Sequence, residues 1–145
     1  MQIRELMKES PACILPTDTV ETAAQKMKEL KCGVLPLCDA SGSRVPVGVV
    51  TDRDIVLRCI AAGKDPKTMP VSEVCTEKPI CCDDDCSAED AFHTMRERDI
   101  GRLLVIDAQG RLEGIVSMAD LIARVPAEIW SQLPGAKQPI PRKAA

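Results

Sequence analysis

The chain repeats itself. Val47 to Leu57 read V-G-V-V-T-D-R-D-I-V-L, and Glu113 to Ala123 read E-G-I-V-S-M-A-D-L-I-A. Upstream, Met27 to Gly42 (M-K-E-L-K-C-G-V-L-P-L-C-D-A-S-G) are matched by Met95 to Gly110 (M-R-E-R-D-I-G-R-L-L-V-I-D-A-Q-G). The upstream pair is offset by 68 residues (Met27 to Met95) and the downstream pair by 66 (Val47 to Glu113), so the first copy carries two extra residues in its Ser43–Val47 hairpin. A duplication of this length constrains the fold more than any single residue. The chain is built from two related supersecondary units, and a site in one copy has a counterpart in the other. In a chain of 145 residues, each half of roughly 65 residues is marginal alone, so the halves are expected to pack face to face.

Composition excludes several classes. Hydrophobic residues at 45% and charged residues at 28% are those of a globular protein. No apolar run approaches a membrane span, and the start M-Q-I-R-E-L-M-K-E lacks the apolar stretch of a signal peptide. The expectation is a cytoplasmic protein without a membrane partner. Net charge is -3, with one Phe, one Trp and no Tyr. Nucleic-acid binding needs a basic patch or stacking rings, and neither is offered.

Eight cysteines are the compositional oddity. In such a chain they read as small buried residues rather than a disulfide framework. There is no C-x-x-C pair, and His93 is the single histidine, so no metal site is expected. Cys13 and Cys38 both fall in predicted strands, with Cys81 and Ile106 at the matching positions. Where those strands are neighbours a Cys13–Cys38 disulfide is open, given a suitable Cα separation.

Each copy reads as strand–helix–strand–strand–helix. Short helical lead-ins, Ile3–Met7 and Val71–Cys75, precede extended segments at Pro11 and Pro79. Asp18 is the expected cap of the first helix, with Glu21 at its third position; Ser87 and Asp90 take those roles in the second copy. Val20, Ala23, Ala24, Met27 and Leu30 follow helical spacing, as do Ala88, Ala91, Phe92 and Met95. Val34–Cys38 and Leu103–Ile106 are short buried strands that turn through D-A-S-G and D-A-Q-G. The returning strands, Val47–Val50 and Glu113–Val116, run straight into helices Asp52–Ala62 and Met118–Val125, ended by Gly63 and Pro126. The expected division is a first motif over 1–63, a stiff linker over 64–70, a second motif over 71–127 and a partly disordered tail over 128–145. Trp130 is expected to pack at the core or surface at the start of that tail.

The chemistry gathers where strand becomes helix. Thr51-Asp52-Arg53-Asp54 and Ser117-Met118-Ala119-Asp120 each stand at a helix N-terminus, whose free N–H groups and positive dipole end suit an anion such as phosphate. Each hydroxyl can donate to a phosphate oxygen, and each carboxylate can accept from the two hydroxyls of a ribose. The same spacings are also capping boxes that need no ligand. Gly48 and Gly114 allow either close approach to a ligand or a hairpin twist. No nucleophile–base pair or phosphate-transfer loop is visible, so no catalytic residue is assigned.

The pair G-V-V-T-D-R-D and G-I-V-S-M-A-D resembles the signature of CBS domains, two apolar residues after glycine, then Ser/Thr-x-x-Asp. The upstream strands and the duplication fit, and the likeness covers about Ile3 to Val125. The T-D-R-D-I-V…A-A-G-K-D-P stretch is similar to stand-alone bacterial two-CBS proteins, the hypoxic-response-protein type included. The resemblance implies an α/β (α+β) fold, with two CBS motifs packed about a pseudo-twofold axis as a Bateman module with two clefts. It implies that one cleft uses Val49, Thr51, Arg53 and Asp54 with Lys78, Pro79 and Cys81, and the other Ile115, Ser117 and Asp120 with Ser10, Pro11 and Cys13. The aspartates would hold ribose, and the first-strand segments would flank adenine. Arg53 and Arg102 are candidate phosphate partners, since a guanidinium forks onto phosphate oxygens. Departures are the bulk of Arg53, Leu104 in place of proline, and the absence of a second-cleft counterpart to Lys78. The resemblance therefore implies a non-catalytic sensor of AMP, ADP, ATP or S-adenosylmethionine, without a catalytic cofactor. Its partners would be a second copy of the chain in a homodimer and an effector protein. The alternative is a ligand-free interaction protein or a thiol-redox-responsive one.

Overall fold

The computed structural model describes residues 1–132. The expected tail falls, from residue 133 on, outside the described residues. In chain order the elements are β1 (Lys8–Glu9), α1 (Val20–Leu30), β2 (Val34–Cys38), β3 (Pro46–Thr51), α2 (Asp52–Ile55), β4 (Thr76–Glu77), β5 (Cys81–Asp83), α3 (Ala88–Arg98), β6 (Arg102–Ile106), β7 (Leu112–Ser117), α4 (Met118–Arg124) and α5 (Ala127–Ser131). Single 3-10 turns, Ile3–Glu5 and Val71–Glu73, form the two lead-ins. The fold is mixed α+β, as the repeat pattern implied.

Contacts divide the chain into two compact units, and these do not coincide with the sequence repeats. The Thr51 unit takes Ser10–Pro79 with Gln109–Leu112; the Ser117 unit takes Met1–Glu9, Ile80–Ala108 and the described chain from Glu113. Each unit thus contains the lead-in of the other repeat. The reason lies in side-chain chemistry. Val71 and Val74, both fully buried, complete a core of Ile14, Val20, Ala23, Met27, Leu35, Leu37, Val50, Ile55 and Cys59. Ile3 and Leu6 do the same for Ala88, Ala91, Phe92, Met95, Leu103, Val105, Val116, Leu121, Val125 and Trp130.

Backbone bonds dock the two lead-ins identically. Ile3 N–H donates to Cys86 carbonyl and Ala88 N–H to Met1 carbonyl; at matching positions Val71 N–H donates to Asp18 carbonyl and Val20 N–H to Met69 carbonyl. Glu21 N–H also reaches Pro66 carbonyl. Two of the orphan donors at the start of α1 are therefore satisfied by carbonyls of the 64–70 segment, which makes that segment part of the Thr51 unit's framework.

In the Thr51 unit β2, β3 and β4 form an antiparallel sheet in that order. The extended segment before α1 contributes only one parallel bridge, Ile14 to Leu37. In the Ser117 unit the strand order is β1-β7-β6-β5, and the equivalent segment is a true strand, β5, with three parallel partners on β6.

Some expectations change. The cap of α1 is Thr19, whose hydroxyl oxygen accepts from Thr22 N–H at 3.1 Å. Asp18 instead closes the preceding turn by accepting from Leu15 N–H, a competing use of a short carboxylate. Ser87 caps α3 as expected. Val20, Ala23 and Met27 are buried, but Leu30 is 52% exposed and Ala24 is exposed. The buried stripe of α1 is therefore narrower than its apolar spacing suggested. The helix expected over 52–62 is α2 followed by a π-helical turn, Val56–Ile60, in which Ala61 N–H reaches back to Val56 carbonyl. Trp130 is buried, packs edge-on against Phe92 at 4.9 Å and donates from Nε1 to Val125 carbonyl.

Candidate ligand-binding signatures

Both signature turns are built the same way. Thr51 leaves β3 in extended conformation and begins α2. Its hydroxyl oxygen accepts from Asp54 N–H at 3.1 Å, while Asp54 Oδ2 accepts from Thr51 N–H at 2.9 Å. Ser117 and Asp120 repeat the pattern at 3.1 and 3.0 Å. The reciprocal capping box is thus formed in both copies. It does not exhaust the groups. Each hydroxyl accepts the cap bond and keeps its own O–H to donate, and each carboxylate keeps Oδ1. A donor and an acceptor therefore stand side by side at each strand-to-helix turn. Asp54 Oδ1 lies 4.0 Å from Arg58 Nε, with Asp54 only 17% exposed.

Arg58 and Arg124 are residues that the sequence reading passed over. Arg58 donates to the carbonyls of Val74 (3.2 Å) and Cys75 (3.3 Å), and Arg124 to that of Leu6 (3.4 Å). The signal was present in the repeat, since D-I-V-L-R and D-L-I-A-R align at the same offset as the signatures.

At Gly48 and Gly114 the packing of the lead-in strands gives a further reason for glycine. Gly48 pairs with Glu77 on β4 and Gly114 with Glu9 on β1. A Cβ at Gly48 would stand 3.1 Å from Thr76 carbonyl oxygen; one at Gly114 would stand 2.5 Å from Met7 Sδ and 2.9 Å from Lys8 carbonyl oxygen. These glycines admit the exchanged lead-in strands.

Ser10 and Lys78 occupy matching positions with positive φ, 47° and 54°, each directly before a proline. Such left-handed residues are strained, and here they turn the chain from lead-in into the first extended segment of each repeat. Pro11 carbonyl accepts from Arg44, and Cys13 carbonyl from Lys26.

The Thr51 unit contains Val49, Thr51, Arg53, Asp54, Lys78 and Pro79, with Val49 paired to Thr76 on the strand that leads to Lys78. Ser10, Pro11 and Cys13 also belong to this unit. Ile115, Ser117, Asp120, Cys81 and Arg102 belong to the Ser117 unit, with Ile115 paired to Lys8. Arg53 and Arg102 are exposed. Among the described residues no group of three or more His, Cys, Asp and Glu is disposed to hold a metal ion. Burial pushes the Cys82 thiol up to about 12, with Cys86 adding to the shift, and burial raises Cys81 and Cys86 as well. No described helix is long and apolar enough to cross a membrane.

This chain belongs to the CBS-domain family, whose model matches residues 3–60 and 71–127. It is 35% identical over 123 residues to Hypoxic response protein 1 of Mycobacterium tuberculosis, covering 85% of this chain and 84% of that protein. Among solved structures it is similar to Hypoxic Response Protein I with two coordinated zinc ions, at a TM-score of 0.77 and 33% identity, over 87% of this chain and 100% of the other. It is also similar to a CBS domain protein from Pyrobaculum aerophilum complexed with AMP, at a TM-score of 0.82 and 28% identity, over 94% and 100%. The tandem CBS architecture expected from the repeated signature is therefore shown.

Proposed function

We propose that this protein is a non-catalytic regulatory module that binds an adenosyl ligand at its Thr51–Asp54 and Ser117–Asp120 signatures. The observation that carries the reading is the pair of matching capping boxes, each with a hydroxyl O–H left to donate and a carboxylate Oδ1 outside the cap bond at a helix start. The AMP complex of a structural neighbour supports the ligand class. In this reading Asp54 and Asp120 accept from the ribose hydroxyls. Thr51 and Ser117 donate to phosphate, with Lys78 adding charge in the first copy alone. That difference gives the two signatures unequal affinity for phosphorylated ligands.

The ligand acts by population shift. It signals only by binding one arrangement of the protein more tightly than another. Val56, Leu57 and Ile60 are each more than half exposed on the π-helical turn and suit contact with a second copy, giving a homodimer that an effector protein reads. The test is thermal unfolding across AMP, ADP, ATP, NAD and S-adenosylmethionine. A ligand at 100 times its dissociation constant adds about 2.7 kcal/mol. A rise in unfolding temperature with one or more of these supports the reading, and no rise with any of them overturns it.

A further inference from the structure

The Sγ atoms of Cys13 and Cys38 lie 2.7 Å apart. A disulfide bond is about 2.0 Å long, so closure needs a movement of under about 1 Å. The pairing register explains the approach. Ile14 bridges to Leu37 in parallel, which sets Cys13 two positions out of register with Cys38 on the same face. The segment that carries Cys13 is also the weakly held one. It has one bridge, made by Ile14 N–H to Pro36 carbonyl and Cys38 N–H to Ile14 carbonyl, whereas β5 in the other repeat has three partners. Both sulfurs are free thiols.

We propose that Cys13 and Cys38 form a reversible disulfide that staples the Ser10–Leu15 segment to β2 under oxidising conditions. The oxidant is a low-molecular-weight disulfide. Cys13, the more exposed of the two, gives up its proton and attacks one sulfur, forming a mixed disulfide and releasing one small thiol. Cys38 then attacks the Cys13 sulfur and expels the second thiol. Two protein thiols are oxidised, one small disulfide is reduced, and the two protons leave on the two thiols released. The order follows from burial. Desolvation, with the hydrogen bond and charge of Cys13, holds the Cys38 thiol up at about 12. The mixed disulfide removes both contributions of Cys13 and leaves that of burial, so Cys38 reacts second because its sulfur already stands beside the Cys13 sulfur. The staple supplies covalently, in the first repeat, what the β5–β6 pairing supplies in the second.

The experiment treats the whole chain with oxidised glutathione, quenches in acid, alkylates without reduction and maps peptides by mass spectrometry. Two of the eight thiols are expected to escape labelling, in one Cys13–Cys38 cross-linked peptide that dithiothreitol releases. Cys38→Ser is expected to stop at a glutathione adduct on Cys13, and Cys13→Ser to carry none at Cys38. Hydrogen exchange of the Ala12–Leu15 amides is expected to slow by roughly tenfold on oxidation of the wild type. Eight labelled thiols, a cross-link between other cysteines, or a Cys13–Cys38 bond that leaves that exchange unchanged overturns the proposal. The wild-type measurements stand even where a variant fails to fold, and none of them depends on nucleotide binding.

Discussion

Arg58 donates to the Val74 carbonyl at 3.2 Å, and so ties the helix of one signature to the lead-in of the other repeat. Arg124 makes the matching bond to Leu6 at 3.4 Å. Each signature helix therefore grips the lead-in that completes its own unit's core. Arg58 is half exposed, so the bond is partly screened and its loss costs about 1 kcal/mol. Arg58→Ala is expected to speed hydrogen exchange over Val74–Glu77 and leave Leu6–Glu9 unchanged. Arg124→Ala is expected to do the reverse, and exchange mass spectrometry reads both.

Gly48→Ala and Gly114→Ala separate the two lead-in contacts. At Gly114 the added carbon meets Met7 Sδ at 2.5 Å and Lys8 carbonyl oxygen at 2.9 Å; at Gly48 the nearest atom is 3.1 Å away. Overpacking costs about 1–3 kcal/mol, offset by up to about 1 kcal/mol from the stiffer unfolded chain. Gly114→Ala is expected to be the more destabilising in urea denaturation, with β1 displaced, and Gly48→Ala close to neutral.

Thr51→Ala and Ser117→Ala each remove a capping oxygen. The expected loss is about 1 kcal/mol apiece. Thr51→Ser and Ser117→Thr restore the bond and are expected to stay within a few tenths of wild type. Equilibrium unfolding checks both pairs.

Cys82 gives stability a pH dependence on the alkaline side. Burial raises this thiol from 9.0 to about 12 in the folded chain, so the unfolded chain ionises first. The contribution is intact below about 9 and is lost as pH climbs toward 12. The slope approaches, and by partial exposure falls short of, about 1.4 kcal/mol per pH unit. Cys82→Ala is expected to flatten the fall in unfolding temperature over that window.

Sequence periodicity placed β2 and both signature turns because each depends on bonds within a few residues. It could not place the lead-ins. I-R-E-L-M and V-S-E-V-C were seen to match, but which core Ile3 and Val71 enter is decided by long-range burial and by the carbonyls of Cys86 and Asp18. The cap of α1 was misplaced by one residue because Asp18 and Thr19 both suit the role, and the turn at Leu15 claims Asp18. The candidate ligand residues came from local pattern and family likeness together. Arg58 and Arg124 were missed because an arginine late in a helix carries no local signal apart from its repetition.

In the proposed function Asp54 and Asp120 hold an adenosyl ligand. Calorimetric titration of AMP into the wild type, Asp54→Asn, Asp120→Asn and the double variant tests it most directly. Asparagine keeps a capping oxygen but loses the charge. Binding by the wild type is expected, with a loss of at least about tenfold in affinity at each altered signature that is occupied, and no heat from the double variant. Equal AMP affinity in the wild type and the double variant would contradict it.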